Sequence, residues 1–597
     1  MRRYWIPAFA GMTTNLRQEV LMSKISILPD LLINKIAAGE VIERPASVVR
    51  ELVDNAIDAG ATDIEVEVLH GGKKLIKVSD NGCGMDREDA VMCFERHATS
   101  KIKTEEELFD ISTLGFRGEA LPAIASVSKI TLSTSPADAD CGTKVEIGAA
   151  HKKEISDAPP VRGTMIEVRD IFYNTPARRK FLKTNPTELT HIIDTVVQKA
   201  FAYPGIAFRL LHNNSEVLNA ASASDIKERF GQLYGDEMAG EFINVKKESK
   251  AITVNGFTSS PDFTRAARSH QLIFINRRPV KNTTVNHAVY NAYDNQIPGG
   301  RHPAYFLFID IDPRSVDVNV HPAKREVKFE RPDEIHRFVR AAVYEALNPG
   351  HVIDVTAPSV FQRSGFQRST GYQNIQRDYP AVSEPVSGIL NSNSQTDIFT
   401  SGITPDVPSF FHIGESFIAT ATNDGLLIID QHAAHERIMY EKFLKKTAIE
   451  SEPLFLPLRI ELPVKEYSII IKHRDILRGL GMDVEEFGGN NVIIRSIPRT
   501  LNKADARGLL LNVAEGILEE ETSGISRDIT EESLLKNIAA RIACHKSVRG
   551  SEQLSNEELS RMMSDLDKAD EPDRCPHGRP TRIYLSLDDL KKMFKRK

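Results

Sequence analysis

The sequence predicts an α+β architecture in two folded parts joined by an unstructured stretch. Three observations lead there. From about 25 to 347, strand-like and helix-like apolar patterns alternate. From about 350 to 409 the composition turns to Ser, Gln, Asn, Pro and Thr, without apolar periodicity. After 409 periodic apolar segments resume and continue to the end. A chain of 597 residues exceeds one hydrophobic core, so several domains are expected. The polar stretch reads as a disordered linker with a root-mean-square span of about 40 Å.

Composition narrows the function classes. Hydrophobic residues make up 41% and charged residues 26%, which is ordinary for globular protein. No apolar run reaches the length of a membrane span, so no membrane association is expected. The net charge of −6 argues against a wholly basic nucleic-acid binder and leaves local basic patches for any DNA contact. Five cysteines are too few for a disulfide framework and point to a reducing cytoplasm. Residues 1–21 fit nothing downstream and lack a secretory apolar core. They are expected to be an extension or a misassigned start, with the first domain beginning near Met22. The only tryptophan, Trp5, lies there and is not counted as core.

In the first folded part, 45–59 reads as an amphipathic helix. Pro45 suits its first turn and Gly60 its end. Val48, Val49, Leu52, Val53, Ala56 and Ile57 line one side, while Glu51, Asn55 and Asp58 share another at i, i+4 and i+7. Such a polar face is either a solvated surface or a catalytic one. Strands at 64–68 and 75–79 follow, the second running into Asp80-Asn81-Gly82-Cys83-Gly84-Met85. A carboxylate beside two glycines lets backbone approach a flat ligand while the acid accepts a hydrogen bond from an amino group. The segments Arg96-His97-Ala98-Thr99-Ser100-Lys101 and Gly115-Phe116-Arg117-Gly118-Glu119-Ala120 offer free N–H groups for phosphates. No G-x-x-x-x-G-K-[ST] occurs, which excludes a P-loop.

The strings IAAGEVIERPASVVRELVDNAIDAG, DNGCGM, RHATSK, GFRGEAL and FYNTPARRKFL together resemble the GHKL ATPases and, within them, the MutL family of DNA mismatch-repair proteins. The resemblance is dense from about 25 to 350. It implies a Bergerat-type ATPase sandwich over 22–221, a DNA-contacting α/β transducer over 222–349, the linker over 350–409, and a C-terminal dimerisation and endonuclease domain over 410–597 that carries an inserted external subdomain at 462–533. It assigns Glu51 as the general base, Asn55 as the ligand of an ATP-bound Mg²⁺, and Asp80, helped by Thr164, as the acceptor for adenine. Gly82, Gly84, Thr99, Ser100 and Lys101 line the nucleotide, and Gly115, Phe116, Arg117 and Gly118 form the phosphate lid. Lys324, in VDVNVHPAK, reaches the γ-phosphate. Arg277, Arg278 and Lys281 match a DNA-contacting position, and Arg178, Arg179, Lys180 and Lys183 form a second basic cluster.

In the second part, a hairpin is expected around Asn423-Asp424-Gly425, its second strand running into Asp430-Gln431-His432-Ala433-Ala434-His435-Glu436. His432 and Glu436 are four apart, so a helix points both one way, with Asp430 just before them. Far downstream, Cys544-His545 and Cys575-Pro576-His577 combine thiol with imidazole, donors suited to zinc. A lone cysteine is otherwise a small core residue. These strings resemble the endonuclease-active branch of the family. Its D-Q-H-A-x2-E-x4-E signature is met by Asp430, Gln431, His432, Ala433, Glu436 and Glu441, and its companion metal motifs by Cys544, Cys575 and His577. The resemblance implies hydrolysis of a DNA phosphodiester, with Asp430 and Glu436 catalytic, carboxylates for Mn²⁺ or Mg²⁺ and thiolates for Zn²⁺. Residues 452–457 are similar to a sliding-clamp docking motif, with Glu452 where the family has Gln. A capping box is expected at Ser555-Asn556-Glu557-Glu558.

The expectation is therefore an ATP-gated nicking homodimer, bacterial-type and nucleoid-associated when active, recruited by a MutS-type mismatch-recognition protein. The alternative is a nuclease-inactive matchmaker scaffold driven by ATP. Other GHKL classes, such as gyrase-type topoisomerase, chaperone or histidine kinase, lack their accompanying domains in this sequence.

Overall fold

The computed structural model describes residues 42–102, 113–115, 118–148, 153–265, 267–268, 270–294, 296–297, 301–317, 327–350, 410–414, 416–445, 451–498, 506–523, 531–547 and 554–594, with the side chains of 519–523, 531 and 544–547 outside that description. No helix among these residues is long and apolar enough to cross a membrane.

The first sheet has eight strands: β1 (Asp63–Leu69), β2 (Leu75–Asp80), β3 (Lys129–Ser135), β4 (Gly142–Ile147), β5 (Lys153–Ala158), β6 (Gly163–Arg169), β7 (Ala207–His212) and β8 (Ser215–Ala220). Their order is β5-β4-β3-β6-β2-β1-β7-β8, and only the β1–β7 pair is parallel. Strand β1 alternates buried positions with less buried ones, as a sheet with one more fully covered face requires. Helices α1 (Pro45–Asp58), α2 (Ala120–Val127) and α3 (Asn185–Ala202) supply residues to the same core. On α1, Val48, Val49, Leu52, Val53 and Ala56 are all at most 2% exposed. Each buried Val or Leu contributes roughly 1.5–3 kcal/mol, enough to fix which face of α1 remains for chemistry. The expected start and stop of this helix are found, with Pro45 in its first turn and Gly60 at φ +73° just beyond.

After α4 (Ile226–Tyr234), a second sheet forms from β9 (Phe242–Glu248), β10 (Ile252–Ser259), β11 (Gln271–Ile275), β12 (Arg278–Val280) and β13 (Tyr305–Ile311), in the order β12-β11-β13-β10-β9. One face packs through Phe274, Phe306 and Phe308 onto Phe201 of α3, with ring centroids 5.3–5.9 Å apart. The other face meets α5 (Thr283–Ala292) and α6 (Pro332–Leu347) in a separate core. The β11–β12 hairpin turns on Asn276 and Arg277, at φ +48° and +63°. Two consecutive positive φ values define a type I′ turn, which Asn tolerates and Arg adopts under strain.

The C-terminal part contains two cores. The hairpin expected around 423–425 is present as β15 (Phe417–Thr422) and β16 (Gly425–Asp430), with β14 (Phe410–Ile413) beside β15. These strands pack on α7 (Gln431–Leu444). The other face of α7 belongs to a second core with β17 (Ser451–Glu461), α8 (Val464–Lys472), β18 (Asp483–Glu486), β19 (Asn491–Pro498), α9 (Ala506–Ser523) and α10 (Glu531–Ser547). Helix α11 (Asn556–Asp567) opens on the expected capping box between Ser555 and Glu558, and β20 (Arg582–Ser586) closes the four-stranded sheet against β16.

Candidate nucleotide cradle and metal cluster

The polar side of α1 carries Glu51, Asn55 and Asp58, all partly buried. Glu51 is paired with Arg50, Nε to Oε1 3.4 Å, and stays partly accessible. The Asn55 Oδ1 accepts from the Lys101 ammonium at 2.9 Å, and Asp58 accepts from the same ammonium at 2.6 Å. Asp58 also takes the backbone N–H of Leu114 at 2.9 Å and that of Gly115 at 3.1 Å. One carboxylate thus fastens the first residues of the expected lid to the helix bearing Glu51. Sequence periodicity places Asp58 on the polar face but gives it no role, because its partners lie 43 to 57 residues further on.

Asp80, at the end of β2, accepts from the Gly82 N–H at 2.9 Å. Burial pushes its carboxyl above the usual range, opposed by the Gly82 and Thr164 backbone N–H groups. Thr164 is buried and exchanges a hydrogen bond with Thr134, 3.0 Å between hydroxyls. Thr134 also accepts from the Met85 N–H and donates to the Gly163 carbonyl. It had no motif to reveal it, being one hydroxyl on a strand. At Gly84, φ is +68° and a Cβ would stand 2.0 Å from the Ser135 carbonyl oxygen. Gly118, φ +62°, likewise has the Ala98 carbonyl oxygen 2.4 Å from where a Cβ would be. Both positions admit only glycine. A half-buried carboxylate acceptor, glycine backbone and a partly accessible polar helix face fit an adenine nucleotide. Of the expected lining residues, Thr99 accepts from the Lys101 N–H and Ser100 is exposed. Phe116, Arg117 and Lys324 lie outside the described residues.

The three expected DNA-contacting residues separate. Arg277 and Lys281 are exposed. Arg278 is half-buried, donates to the Thr113 carbonyl at 2.6 Å, and has its guanidinium pKa lowered by burial against the pull of Asp54, Tyr203 and Asp58. Its guanidinium is thus engaged at the lid root.

In the C-terminal part, Glu436, Cys575 and His577 converge, with one donor atom from each within 4.8 Å of the others. Glu436 and Cys575 are 2% exposed. The Glu436 Oε1 lies 3.3 Å from His432 Nε2, and its Oε2 lies 3.4 Å from His577 Nδ1. Burial pushes the Cys575 thiol up, and the neighbouring Glu436 adds to this over the opposing backbone N–H groups of His577 and Arg579. Carboxylate, thiol and imidazole at this spacing fit a zinc-like ion, whose donors bind at about 2.0–2.3 Å. Asp430 is placed differently: its carboxylate caps α7 by accepting the Ala433 N–H at 3.0 Å. Glu441 also lies apart from that cluster. It pairs with Arg437 at 3.5 Å and Lys445 at 3.2 Å, and accepts the Asp570 N–H. Cys544 is on α10, its side chain outside the described residues. Buried Arg437 joins α7 to the distant loop, donating to the Arg574 carbonyl at 2.6 Å and to Glu571 at 2.7 Å.

Fold and cradle define a GHKL-type ATPase fused to a dimerisation domain. Residues 42–171 match the model for the histidine kinase-, DNA gyrase B- and HSP90-like ATPases, residues 230–348 the DNA mismatch repair protein C-terminal domain, and residues 411–554 the MutL C-terminal dimerisation domain. The DNA mismatch repair protein MutL of Syntrophotalea carbinolica is 39% identical, with 96% of this chain and all of that protein covered. That of Thermodesulfovibrio yellowstonii is 39% identical at the same coverages. A solved Aquifex aeolicus MutL ATPase domain complexed with ADP is 28% identical, covering 46% of this chain and 94% of that one, with a TM-score of 0.35. The chain belongs to the MutL family of DNA mismatch repair proteins.

Proposed function

We propose that this protein is an ATP-gated, metal-dependent endonuclease of mismatch repair that nicks one DNA strand. The observation that carries the nuclease reading is the convergence of Glu436, Cys575 and His577, with His432 against the same carboxylate. A bound divalent ion would supply Lewis acidity toward the phosphodiester and an activated water. Glu436, Cys575 and His577 are the described residues that would hold Zn²⁺. Asp430, with Glu436, adds hard donors for Mn²⁺ or Mg²⁺, and Cys544 completes the set. In the ATPase, Glu51 orients the attacking water, Asn55 holds Mg²⁺, Asp80 and Thr164 read adenine, Gly115–Gly118 cover the phosphates and Lys324 senses the γ-phosphate. Phosphoryl transfer needs little beyond this alignment and charge neutralisation.

Arg277 and Lys281, exposed at the β11–β12 hairpin and beyond it, are the cations offered to a DNA backbone. Homodimerisation is supported by Phe411, Ile413 and Phe417, which stand 47–62% exposed on the β14–β15 pair. A sliding clamp is supported as partner by Phe455 and Leu456 on β17, 95% and 76% exposed beside the partly buried Leu454. A MutS-type protein is the proposed recruiter.

Supercoiled DNA incubated with the protein and Mn²⁺ should be converted to the nicked form. Asp430→Asn should abolish nicking and retain ATPase activity. Because Asn caps a helix about as well as Asp, that loss would report the carboxylate charge and not the fold of α7. No nicking with Mn²⁺, Mg²⁺ or Zn²⁺ would leave the ATP-driven matchmaker scaffold as the function.

A further inference from the structure

The face of the N-terminal part behind the cradle is covered by the C-terminal part of the same chain. Helix α8 lies against α3 and β8, and Val464 enters the N-terminal core. Around this apolar point run charged and polar contacts that each join one part to the other. Lys465 pairs with Asp194 of α3. His270 Nε2 is 3.2 Å from Glu466 Oε1, and its Nδ1 is 3.8 Å from Glu515 Oε1. Arg265 Nε lies 3.4 Å from that same Glu515 oxygen, and Arg507 Nε lies 3.2 Å from Glu237. The charges complement in both directions, with cations of the first part facing acids of the second and the reverse. Such a pattern fixes register and rejects displaced alignments.

The seam differs from a permanent core in one respect. The side chains of Arg265, His270, Glu466 and Glu515 are at most 5% exposed. Yet Arg265 Nε, Glu466 Oε2, both Glu515 oxygens, and Arg507 Nε and Nη2 are buried without a hydrogen-bond partner among the described residues. Native cores satisfy nearly all such atoms. Here they would be satisfied by water once the two parts separated. Desolvation therefore offsets much of the attraction, and the contact is specific without being tight.

We propose that α3 and the segment 265–270 form a docking surface for the 464–515 region of the same chain, and that the contact is a reversible latch between the ATPase and the C-terminal domain. Its position gives it a target. Helix α3 packs on α1, and Lys199 of α3 pairs with Asp54 of α1, one residue from Asn55. The latch thus bears on the helix that carries Glu51, and it stands whether or not the C-terminal metal cluster cuts DNA.

Hydrogen–deuterium exchange on the full chain without nucleotide tests it. In Lys465→Glu, exchange across 186–202 and 464–472 should quicken at least tenfold, while 305–311 of the second sheet is unchanged. The pair Asp194→Lys with Lys465→Glu should restore protection in both helices. In the unmodified protein, raising NaCl from about 50 to about 500 mM screens the partly exposed Lys465–Asp194 and Arg507–Glu237 pairs and should deprotect the same two helices together. This salt arm does not depend on how the variants fold. The proposal is overturned if exchange in both helices is indifferent to Lys465→Glu, if the reversed pair protects no better than the single change with 305–311 intact, or if the two helices ignore salt.

Discussion

Replacing Asp58 by Ala should loosen the lid root and weaken ATP binding about 100-fold. The carboxylate is 6% exposed and accepts three hydrogen bonds, one from the Lys101 ammonium and two from the N–H groups of Leu114 and Gly115. A hydrogen bond to a charged group is worth about 1.5–3 kcal/mol, and a buried donor left unpaired costs about 1–3 kcal/mol. The lid root can recover water as it loosens, so the expected loss is nearer 3 kcal/mol than the sum. The apparent affinity for ATP falls by the fraction of molecules whose lid root remains ordered. Asp58→Asn keeps an acceptor for one N–H and loses the charge facing Lys101. It should weaken binding about tenfold, or about 1.4 kcal/mol. Equilibrium titration with a fluorescent ATP analogue reads both variants, and circular dichroism checks that the sheet is intact. If Asp58→Ala binds the analogue within threefold of the unmodified protein, the anchoring role is wrong.

Three further outcomes are expected. Glu51→Ala should abolish ATP hydrolysis while retaining nucleotide binding, and undiminished turnover would remove Glu51 as the base. Cys575→Ser should lower zinc affinity at least about 100-fold, since loss of an outer-shell partner alone costs about 10–100-fold. Metal content after dialysis against a buffered zinc solution measures this, and unchanged stoichiometry would exclude Cys575 as a ligand. Burial raises the Glu515 pKa, against the opposing pull of Arg265 and His270. The folded protein therefore holds that proton more firmly than the unfolded chain, so the stability from this group is full below about pH 4.5 and lost as pH rises through the folded value. Glu515→Gln should melt above the unmodified protein at pH 7, with the gap closing toward pH 4. A lower midpoint at pH 7 would contradict the direction of the shift.

Local signals carried a large share of the fold and less of the chemistry. Pro45 and Gly60 bracket α1 because proline tolerates a first turn and glycine a left-handed exit. Asn423-Asp424-Gly425 announces its hairpin, and Ser555 with Glu558 its capping box, for equally local reasons. Residue roles depend on partners distant in sequence. Asp58 looks like any polar-face residue until Leu114 and Gly115 return to it. Arg278 reads as one of a basic pair, but the fold turns it toward Thr113 while Arg277 faces water. Asp430 lies where the strand-to-helix junction puts it, yet an N-cap claims its carboxylate. Glu441 completes the signature string and is held by Arg437 and Lys445. Glu436 reaches Cys575 and His577 across about 140 residues, which motif resemblance anticipates and spacing alone does not.

Arg437 has a consequence for how the proposed C-terminal cluster would meet an ion. It ties α7 to the loop at 571–574 one residue from Glu436 and just ahead of Cys575, by bonds wholly of protein atoms. The loop that carries Cys575 is thus held against the helix that carries Glu436 by the protein itself. An ion entering there need not gather a disordered chain, as it must in a zinc finger, where binding and folding are one event. Loading of the proposed cluster would then turn on proton release from Cys575, whose thiol burial pushes up, and on access past the exposed His577, with the surrounding fold unchanged.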